Sequence, residues 1–490
     1  MTVSSLAAAL IDTLRERLGP NHVATAESDM AGALVELRGL YRGNAIAVVR
    51  PGDTQEVAFV VAQCARAGIP VVPQGGNTGL VGGGVPYGGI VLSLSRLDRV
   101  RALDPVNGTI TVEAGCILQR VQSTAAEAGY LFPLSLASEG SCTIGGNLAT
   151  NAGGTAVLRY GNTRELTLGV EVVLADGRIW DGLKGLRKDN TGYDLRDLFI
   201  GSEGTLGIIT AAVLKLVPAP RTRVTAFVGC DSPDNALTLF NRLRTASADH
   251  LTAFEYIPAF GLDIVLKHRP AYRRPLAESH PSYALIELTS PQANADLRGS
   301  LEEVLSEALE DGTIADAVLG ESEAQSIALW GMRENLSEVQ SLEGGSIKHD
   351  VAVPVSRVAE FIDVATAACE AVMPGLRVCA FGHFGDGNIH FNLSQPVGMD
   401  KAAYLAEWER FNRIVHDIVT GMNGSIAAEH GIGLIKRDEL SHYKDPVALD
   451  LMRAIKRTLD PSNLLNPGKV LSVGRDDPAT LPGSSQAVLA

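Results

Sequence analysis

From Pro73 to Ile90 the chain carries no charged side chain, and glycine recurs at 75, 76, 79, 82, 83, 84, 88 and 89. Glycine at this density lets the backbone take positive φ and turn successive N–H groups toward one point, a nest suited to an anion such as a pyrophosphate. Two further glycine-rich segments follow: Ser141-Cys-Thr-Ile-Gly-Gly-Asn147, continuing through Asn151-Ala-Gly-Gly154, and Gly201-Ser-Glu-Gly-Thr-Leu-Gly207. One of them alone would read as a turn, but three within one domain point to a ligand cradle. None spells Gly-x-Gly-x-x-Gly after a first strand, and there is no Gly-Lys-Ser/Thr, which disfavours a nicotinamide dinucleotide or ATP site.

The flanking pattern predicts a βαβ unit from Ala45 to Pro73, with strands at 46–49 and 69–72. Between them lies a helix that buries Val57, Val60, Val61 and Cys64 and is capped by Thr54. Strands at 90–94 and 108–114, a helix at 118–128, a hairpin of 170–174 with 179–183 around Asp176-Gly177, and a strand at 206–217 complete a first domain. Pro218-Ala-Pro220 ends it. Beyond lie strands near 224–228, 253–256 and 283–288 and helices at 234–246 and 298–310, which predict a two-layer α+β domain with a largely antiparallel sheet. Helices at 355–372 and 401–420, and one ending near Leu459, follow. The expected division is an N-terminal helical segment over 1–39, a first domain over 40–218, a second over 219–425, a C-terminal segment over 426–471 and a disordered tail over 472–490.

With 490 residues, 46% hydrophobic and 20% charged, the chain can bury a large core. A formal net charge of -14 predicts no general attraction to nucleic acid or anionic lipid. Cys64, Cys116, Cys142, Cys230, Cys369 and Cys379 form no Cys-x-x-Cys pair and read as buried thiols in a reducing compartment, expected to be the cytoplasm. The first nineteen residues read as an amphipathic helix, and no apolar run is long enough to span a bilayer.

His383-Phe-Gly-Asp-Gly-Asn-Ile-His-Phe-Asn392 sets two imidazoles across a turn at Gly385-Asp386-Gly387, and Glu429-His430 follow downstream. If the flanks are strands, period-two alternation puts His390 and Asn392 on one face, with His383 on the opposing arm able to meet them. Two imidazoles and a carboxylate suit a divalent ion such as zinc, manganese or iron. A plain hairpin with two satisfied core histidines is the alternative for the His-x6-His pair alone. Adjacent residues on a regular strand point to opposite faces, so Glu429-His430 add only modest weight.

Taken together, Pro73 to Gly79, Gly140 to Gly154, Arg159-Tyr-Gly161, Leu186-Arg-Lys-Asp-Asn-Thr-Gly-Tyr-Asp194, Phe199 to Gly207, His383 to Asn392, Ala428-Glu-His-Gly431 and Asn466-Pro-Gly-Lys469 resemble the vanillyl-alcohol oxidase type flavoproteins. Within them the likeness is to the D-2-hydroxyacid dehydrogenase branch, over roughly Leu40 to Leu471. The resemblance implies an α+β fold: a two-part FAD-binding domain, an antiparallel-sheet substrate (cap) domain and a C-terminal helical segment. It implies FAD contacts at Pro73, Gln74, Gly75, Gly76, Asn77, Thr78 and Gly79 in the first loop and at Gly140, Ser141, Thr143, Gly146, Asn147, Thr150, Asn151 and Gly153 in the second. Further contacts are implied at Tyr160, Gly161, Glu203, Gly204, Gly207, Ile208, Ile209, Asn388 and Asn466. Covalent members carry a histidine in the first loop; Gln74 to Gly79 has none, so FAD is expected without a covalent bond.

The same resemblance makes His383, His390 and Glu429 metal ligands, with zinc implied and manganese, iron or cobalt also suited. It makes Asn392 a contact either to the substrate or to the groups that hold the metal ligands, and His430 a substrate contact and the catalytic base. It also singles out Arg333, Ser337 and Lys348 as a carboxylate pocket: Arg333 and Ser337 are four apart on an expected helix, and Lys348 is on the next strand. Ser337 stands where threonine is usual in enzymes of 2-hydroxyglutarate. The implied activity is oxidation of a D-2-hydroxy acid, foremost D-2-hydroxyglutarate, to the 2-oxo acid by hydride transfer to flavin N5. D-malate and D-lactate are the alternatives, as are a non-redox lyase or transferase, a flavin-carrying electron-transfer subunit and a metal-stabilised binding protein. An electron-transfer flavoprotein or a quinone is the expected acceptor, and a homodimer the expected assembly.

Overall fold

Asp53, rather than Thr54, caps the first helix of the βαβ unit. Its extended backbone lets the side chain accept the Glu56 N–H at 2.8 Å, so Thr54 becomes the first helical residue. The Thr54 hydroxyl donates instead to Glu171 Oε1 at 2.6 Å. The helix, Thr54–Ala67, ends on left-handed Gly68 and buries Val57, Val60, Val61 and Cys64 as its spacing predicts. This computed structural model describes residues 3–472, with side chains from Ser5 onward; apart from residue 472 itself, the tail expected over 472–490 lies outside the described residues. The chain forms two units. One holds the chain up to Gly153, Asn162–Pro218 and the described residues from Glu429 on; the other holds Gly154–Gly161 and Ala219–Ala428.

In the first unit, β1 (Val23–Ala24), β2 (Ala47–Val49), β3 (Val71–Gln74) and β4 (Ile90–Ser93) form a sheet in the order β1-β2-β4-β3, in which β2, β4 and β3 are parallel. β2 and β4 are buried throughout, as strands covered on both faces must be. A second sheet is antiparallel and contains β5 (Val100–Asp104) and β6 (Thr109–Glu113). A short β7 (Tyr130–Leu131) intervenes, followed by β8 (Thr167–Val173), β9 (Ile179–Gly182), β10 (Ile208–Lys215) and β11 (Val217–Pro218). The five-stranded order is β5-β6-β10-β8-β9, while β7 pairs with β11. The N-terminal helix Val3–Leu18 buries Leu10, Ile11, Leu14 and Leu18 in the cluster that holds Val57, Val60 and Val61.

The second unit is built on seven strands: β12 (Thr222–Cys230), β13 (Leu251–Pro258), β14 (Ser282–Ser290), β15 (Asp316–Leu319), β16 (Ser346–Ala352), β17 (Arg377–His383) and β18 (Asn388–Ser394). They run in the order β15-β12-β14-β13-β17-β18-β16 with every pairing antiparallel. The expected two layers are three. Phe254, Tyr256, Ile286 and Phe391 face one apolar cluster, and Phe227, Ile257, Leu285 and Phe381 face another, so both sheet faces are covered. β14 is accordingly buried at every position and shows no apolar–polar alternation. Helices Pro233–Ala246, Leu297–Glu310, Val358–Val372 and Trp408–Gly421 supply one cover, and Ala259–His268 with Glu323–Glu334 the other. The expected helix over 401–420 is two, Lys401–Leu405 and Trp408–Gly421.

Candidate active site

In the first unit the three glycine-rich segments line one cleft of about 1050 Å³, counting the part open to solvent. Close approach explains the glycines. A Cβ on Gly75 would lie 2.2 Å from Thr143 Oγ1, and one on Gly76 would lie 2.1 Å from the Ser141 carbonyl, so any side chain there would push the first two loops apart. Asn77 and Glu203 take positive φ of 53° and 51°, reversing the chain where the first and third loops face the cleft. Thr143 Oγ1 is buried with no hydrogen-bond partner among the described residues, a donor fit for a ligand oxygen. The first loop, glycine-rich and without a charged side chain, fits the pyrophosphate of FAD.

The C-terminal segment, including the expected FAD contact Asn466, stands outside the cleft's lining but straps the loops that form it. Asn466 Nδ2 donates to the carbonyls of Gly83 (3.0 Å) and Glu203 (2.8 Å), and Leu465 forms a parallel bridge with Val71. Buried Lys456 donates to the Thr205 carbonyl at 2.7 Å, to Asp460 Oδ2 at 2.6 Å and to the Leu465 carbonyl at 2.9 Å. Burial pulls the Lys456 ammonium down against the pull of Asp460. Glu203 accepts the N–H groups of Ile432 (2.7 Å) and Gly433 (2.8 Å), while burial pushes its carboxyl up.

Of the expected FAD contacts, Pro73 to Gly79, Thr143, Gly146, Asn147, Thr150, Glu203, Gly204, Gly207, Ile208 and Ile209 line the cleft. Gly140, Ser141, Asn151 and Gly153 stand outside its lining. Asn151 is a helix C-cap whose Oδ1 accepts the Arg164 N–H, and Ser141 Oγ donates to the Ser138 carbonyl. Tyr160 and Gly161 group with the second unit, where Arg159 stacks on the Tyr160 ring. Asn388 is in the second unit too, and its amide is held by the sheet: Nδ2 donates to Asp350 Oδ1 and to the Val351 carbonyl, both at 3.0 Å. Glu36 lines the cleft unforeseen, because a side chain brought in from outside the glycine-rich segments leaves no local mark.

In the second unit, strand register gathers the polar residues. Cross-strand partners share a face, and β18 sets Asn392 opposite Lys348 and His390 opposite Asp350 on β16; on β17, His383 faces Asn388. β13 adds Glu255 opposite His383. One sheet face therefore carries Glu255, His383, His390, Asn392, Lys348 and Asp350. The His383 and His390 ring centroids are 5.7 Å apart, and Asp350 Oδ1 is 4.0 Å from His390 Nδ1. Asp350 escaped the sequence reading, although it lies two residues beyond Lys348 on the same strand face.

Glu255 is 1% exposed and uses both oxygens: Oε2 accepts from Arg333 Nε at 2.6 Å, and Oε1 meets His383 Nδ1 at 2.7 Å. Burial alone would raise its carboxyl, but Arg333 and His383 beside it outweigh that and hold it at about 2. An ionised carboxylate only accepts, so His383 Nδ1 carries the proton and the Nε2 lone pair is the one able to ligate a cation. Arg333 also stacks over the Phe381 ring at 4.8 Å.

Arg333 and Ser337 do not share a helix. Glu323–Glu334 ends before Asn335, and Ser337 belongs to the next turn, Leu336–Val339. Ser337 is exposed, and its carbonyl, rather than its hydroxyl, accepts from Lys348 Nζ at 3.2 Å. Buried Gln340 accepts from Asn392 Nδ2 at 3.0 Å, fixing that amide. Ala428 N–H bonds the Asp350 carbonyl at 3.3 Å, and the chain continues directly into Glu429 and His430. These two lie in a bend, not a strand, which lets neighbours approach: Glu429 Oε1 is 3.7 Å from His430 Nε2.

Residues 219–470 match the model for the C-terminal domain of FAD linked oxidases, and residues 45–182 that for an FAD binding domain. A Bos taurus protein named D-2-hydroxyglutarate dehydrogenase, mitochondrial, is 40% identical over 460 residues, covering 93% of this chain and 82% of the relative. A Xanthomonas citri pv. viticola protein named D-2-hydroxyglutarate dehydrogenase is 38% identical over 440 residues, covering 90% and 92%. A solved alkyldihydroxyacetonephosphate synthase shares the fold, with TM-score 0.72 at 17% identity over 94% of this chain and 84% of that one. The fold expected from the flavoprotein resemblance is thereby found. The expected cytoplasmic location is overturned, since the Bos taurus relative and one from Arabidopsis thaliana are named as mitochondrial. Charge and free thiols do not separate one reducing compartment from another. No described helix is long and apolar enough to cross a membrane. By its sequence and by both domain matches, the chain belongs to the D-2-hydroxyglutarate dehydrogenase family of FAD-linked oxidases, FAD-dependent dehydrogenases acting on a CH–OH donor.

Proposed function

We propose that this chain oxidises D-2-hydroxyglutarate to the 2-oxo acid with non-covalently bound FAD and a divalent cation. The observation that carries the reading is the strand register that gathers Lys348, Asp350, His383, His390 and Asn392 on one sheet face. Bound FAD supplies the acceptor for the hydride leaving C2, and a cation at His383, His390 and Glu429 supplies Lewis acidity toward the hydroxyl and its neighbouring carboxylate. Asp350, paired across the strands with His390 on the same sheet face, is a further candidate ligand. His430 takes the hydroxyl proton. Arg333, whose Nη1 and Nη2 have no hydrogen-bond partner among the described residues, forks onto the distal carboxylate, Lys348 adds a point charge, and Asn392 orients the substrate. The Bos taurus and Arabidopsis thaliana names support a mitochondrial setting.

Anaerobic flavin bleaching against D- and L-2-hydroxy acids tests this directly. D-2-hydroxyglutarate is expected to bleach fastest and its L-enantiomer not at all; equal bleaching by D-lactate would remove the dicarboxylate assignment. Lys348→Ala should damage turnover of dicarboxylates much more than of D-lactate, and equal losses on both would count against the pocket. Dialysis against a chelator is expected to abolish activity while FAD stays bound, with zinc or manganese restoring it; full activity in metal-free protein ends the cation's role.

A further inference from the structure

Glu255 lies on β13 between Leu285 of β14 and His383 of β17, on the sheet face whose apolar cluster includes Ile257, Leu285 and Phe381. A leucine would pack there without desolvating a charge, and a buried ion pair is weak evidence for stability. What a leucine could not do is accept two hydrogen bonds at once, from Arg333 Nε at 2.6 Å and His383 Nδ1 at 2.7 Å. These partners belong to different proposed tasks, one to the substrate's distal carboxylate and one to the cation.

We infer that Glu255 is a positioning residue that couples the two tasks, holding His383 in the tautomer that can ligate through Nε2 and holding Arg333 in the rotamer that presents its terminal nitrogens. The inference rests on the proposed roles of His383 and Arg333. Its physical content is that a single carboxylate, with acceptor lone pairs on both oxygens, satisfies two donors that an isosteric amide cannot satisfy together. In Glu255→Gln the amide accepts from only one partner. If it accepts from Arg333, its NH₂ faces His383 Nδ1 and drives the proton to Nε2, the nitrogen the cation needs. If it accepts from His383, its NH₂ opposes Arg333 Nε.

Glu255→Gln holoenzyme is therefore expected to keep its flavin, to bind zinc about 10- to 100-fold more weakly in chelator competition, and to show a rise in KM for D-2-hydroxyglutarate. Adding Arg333→Met removes one of the two competing donors and frees the amide to accept from His383. The double variant is expected to regain zinc affinity toward wild type while KM stays high, and it reports on the tautomer even if the single variant does not fold. Zinc affinity unchanged in Glu255→Gln, or no recovery in the double variant, overturns the coupling. His383→Ala separates the two failures: wild-type zinc affinity there removes His383 as a ligand, whereas loss there with none in Glu255→Gln leaves the ligand standing and removes the coupling alone.

Discussion

Replacing His430 with asparagine is expected to leave a folded, yellow, metal-binding protein whose flavin is reduced by D-2-hydroxyglutarate about 10²- to 10⁴-fold more slowly, the range for loss of a positioned proton acceptor. Asparagine preserves a polar group that can still hydrogen-bond the substrate hydroxyl, but it cannot accept and keep a proton. The defect should therefore fall on the reduction step and leave substrate affinity nearly unchanged, a pattern that marks an interaction made mainly in the transition state. Anaerobic stopped-flow mixing reads the flavin directly and bypasses whatever acceptor reoxidises it. A variant reduced at the wild-type rate would strip His430 of the base's role.

Lys456→Met is expected to cost the first unit about 3–5 kcal/mol and to yield protein largely devoid of FAD, because removing one partner of a buried ion pair strands the other. Asp460 would retain the N–H groups of Leu464 and Leu465 but lose the ammonium 2.6 Å away. The same ammonium bridges the Thr205 and Leu465 carbonyls, and Thr205 belongs to the third glycine-rich loop. Methionine fills the volume and removes all three donations, so the loss is electrostatic rather than one of packing. The ratio of flavin to protein absorbance and the melting temperature check it; full flavin occupancy with an unshifted melting temperature would show that this helix end does not organise the cleft.

The parts most legible in the sequence are those where backbone geometry dictates residue type. Gly75 and Gly76 are fixed by the close approach of the second loop, and Gly387 has φ of 88° at the hairpin turn, so glycine itself is the signal. On β16, where a strand was expected at Lys348, the place of Asp350 was hidden for the opposite reason. Ser-Ile-Lys-His-Asp-Val-Ala turns Lys348 and Asp350 toward a face where strand patterns lead one to expect apolar residues. Glu255 is hidden more deeply. An acid within Leu251–Pro258 reads as a solvent-facing position, and its partners Arg333 and His383 lie 78 and 128 residues away. The helix expected to carry both Arg333 and Ser337 failed because a four-residue spacing holds one face only while the helix continues, and it stops before Asn335.

The return of Asn466 to Gly83 has a consequence for biogenesis. These residues are 383 positions apart, so at roughly 5–20 residues per second the ribosome takes roughly 20–80 s to supply the second after the first. Until then the nascent N-terminal half holds its dinucleotide loops without their last strap. Cofactor loading is therefore expected to be late, and ribosome-bound chains stalled before Leu465 should emerge colourless.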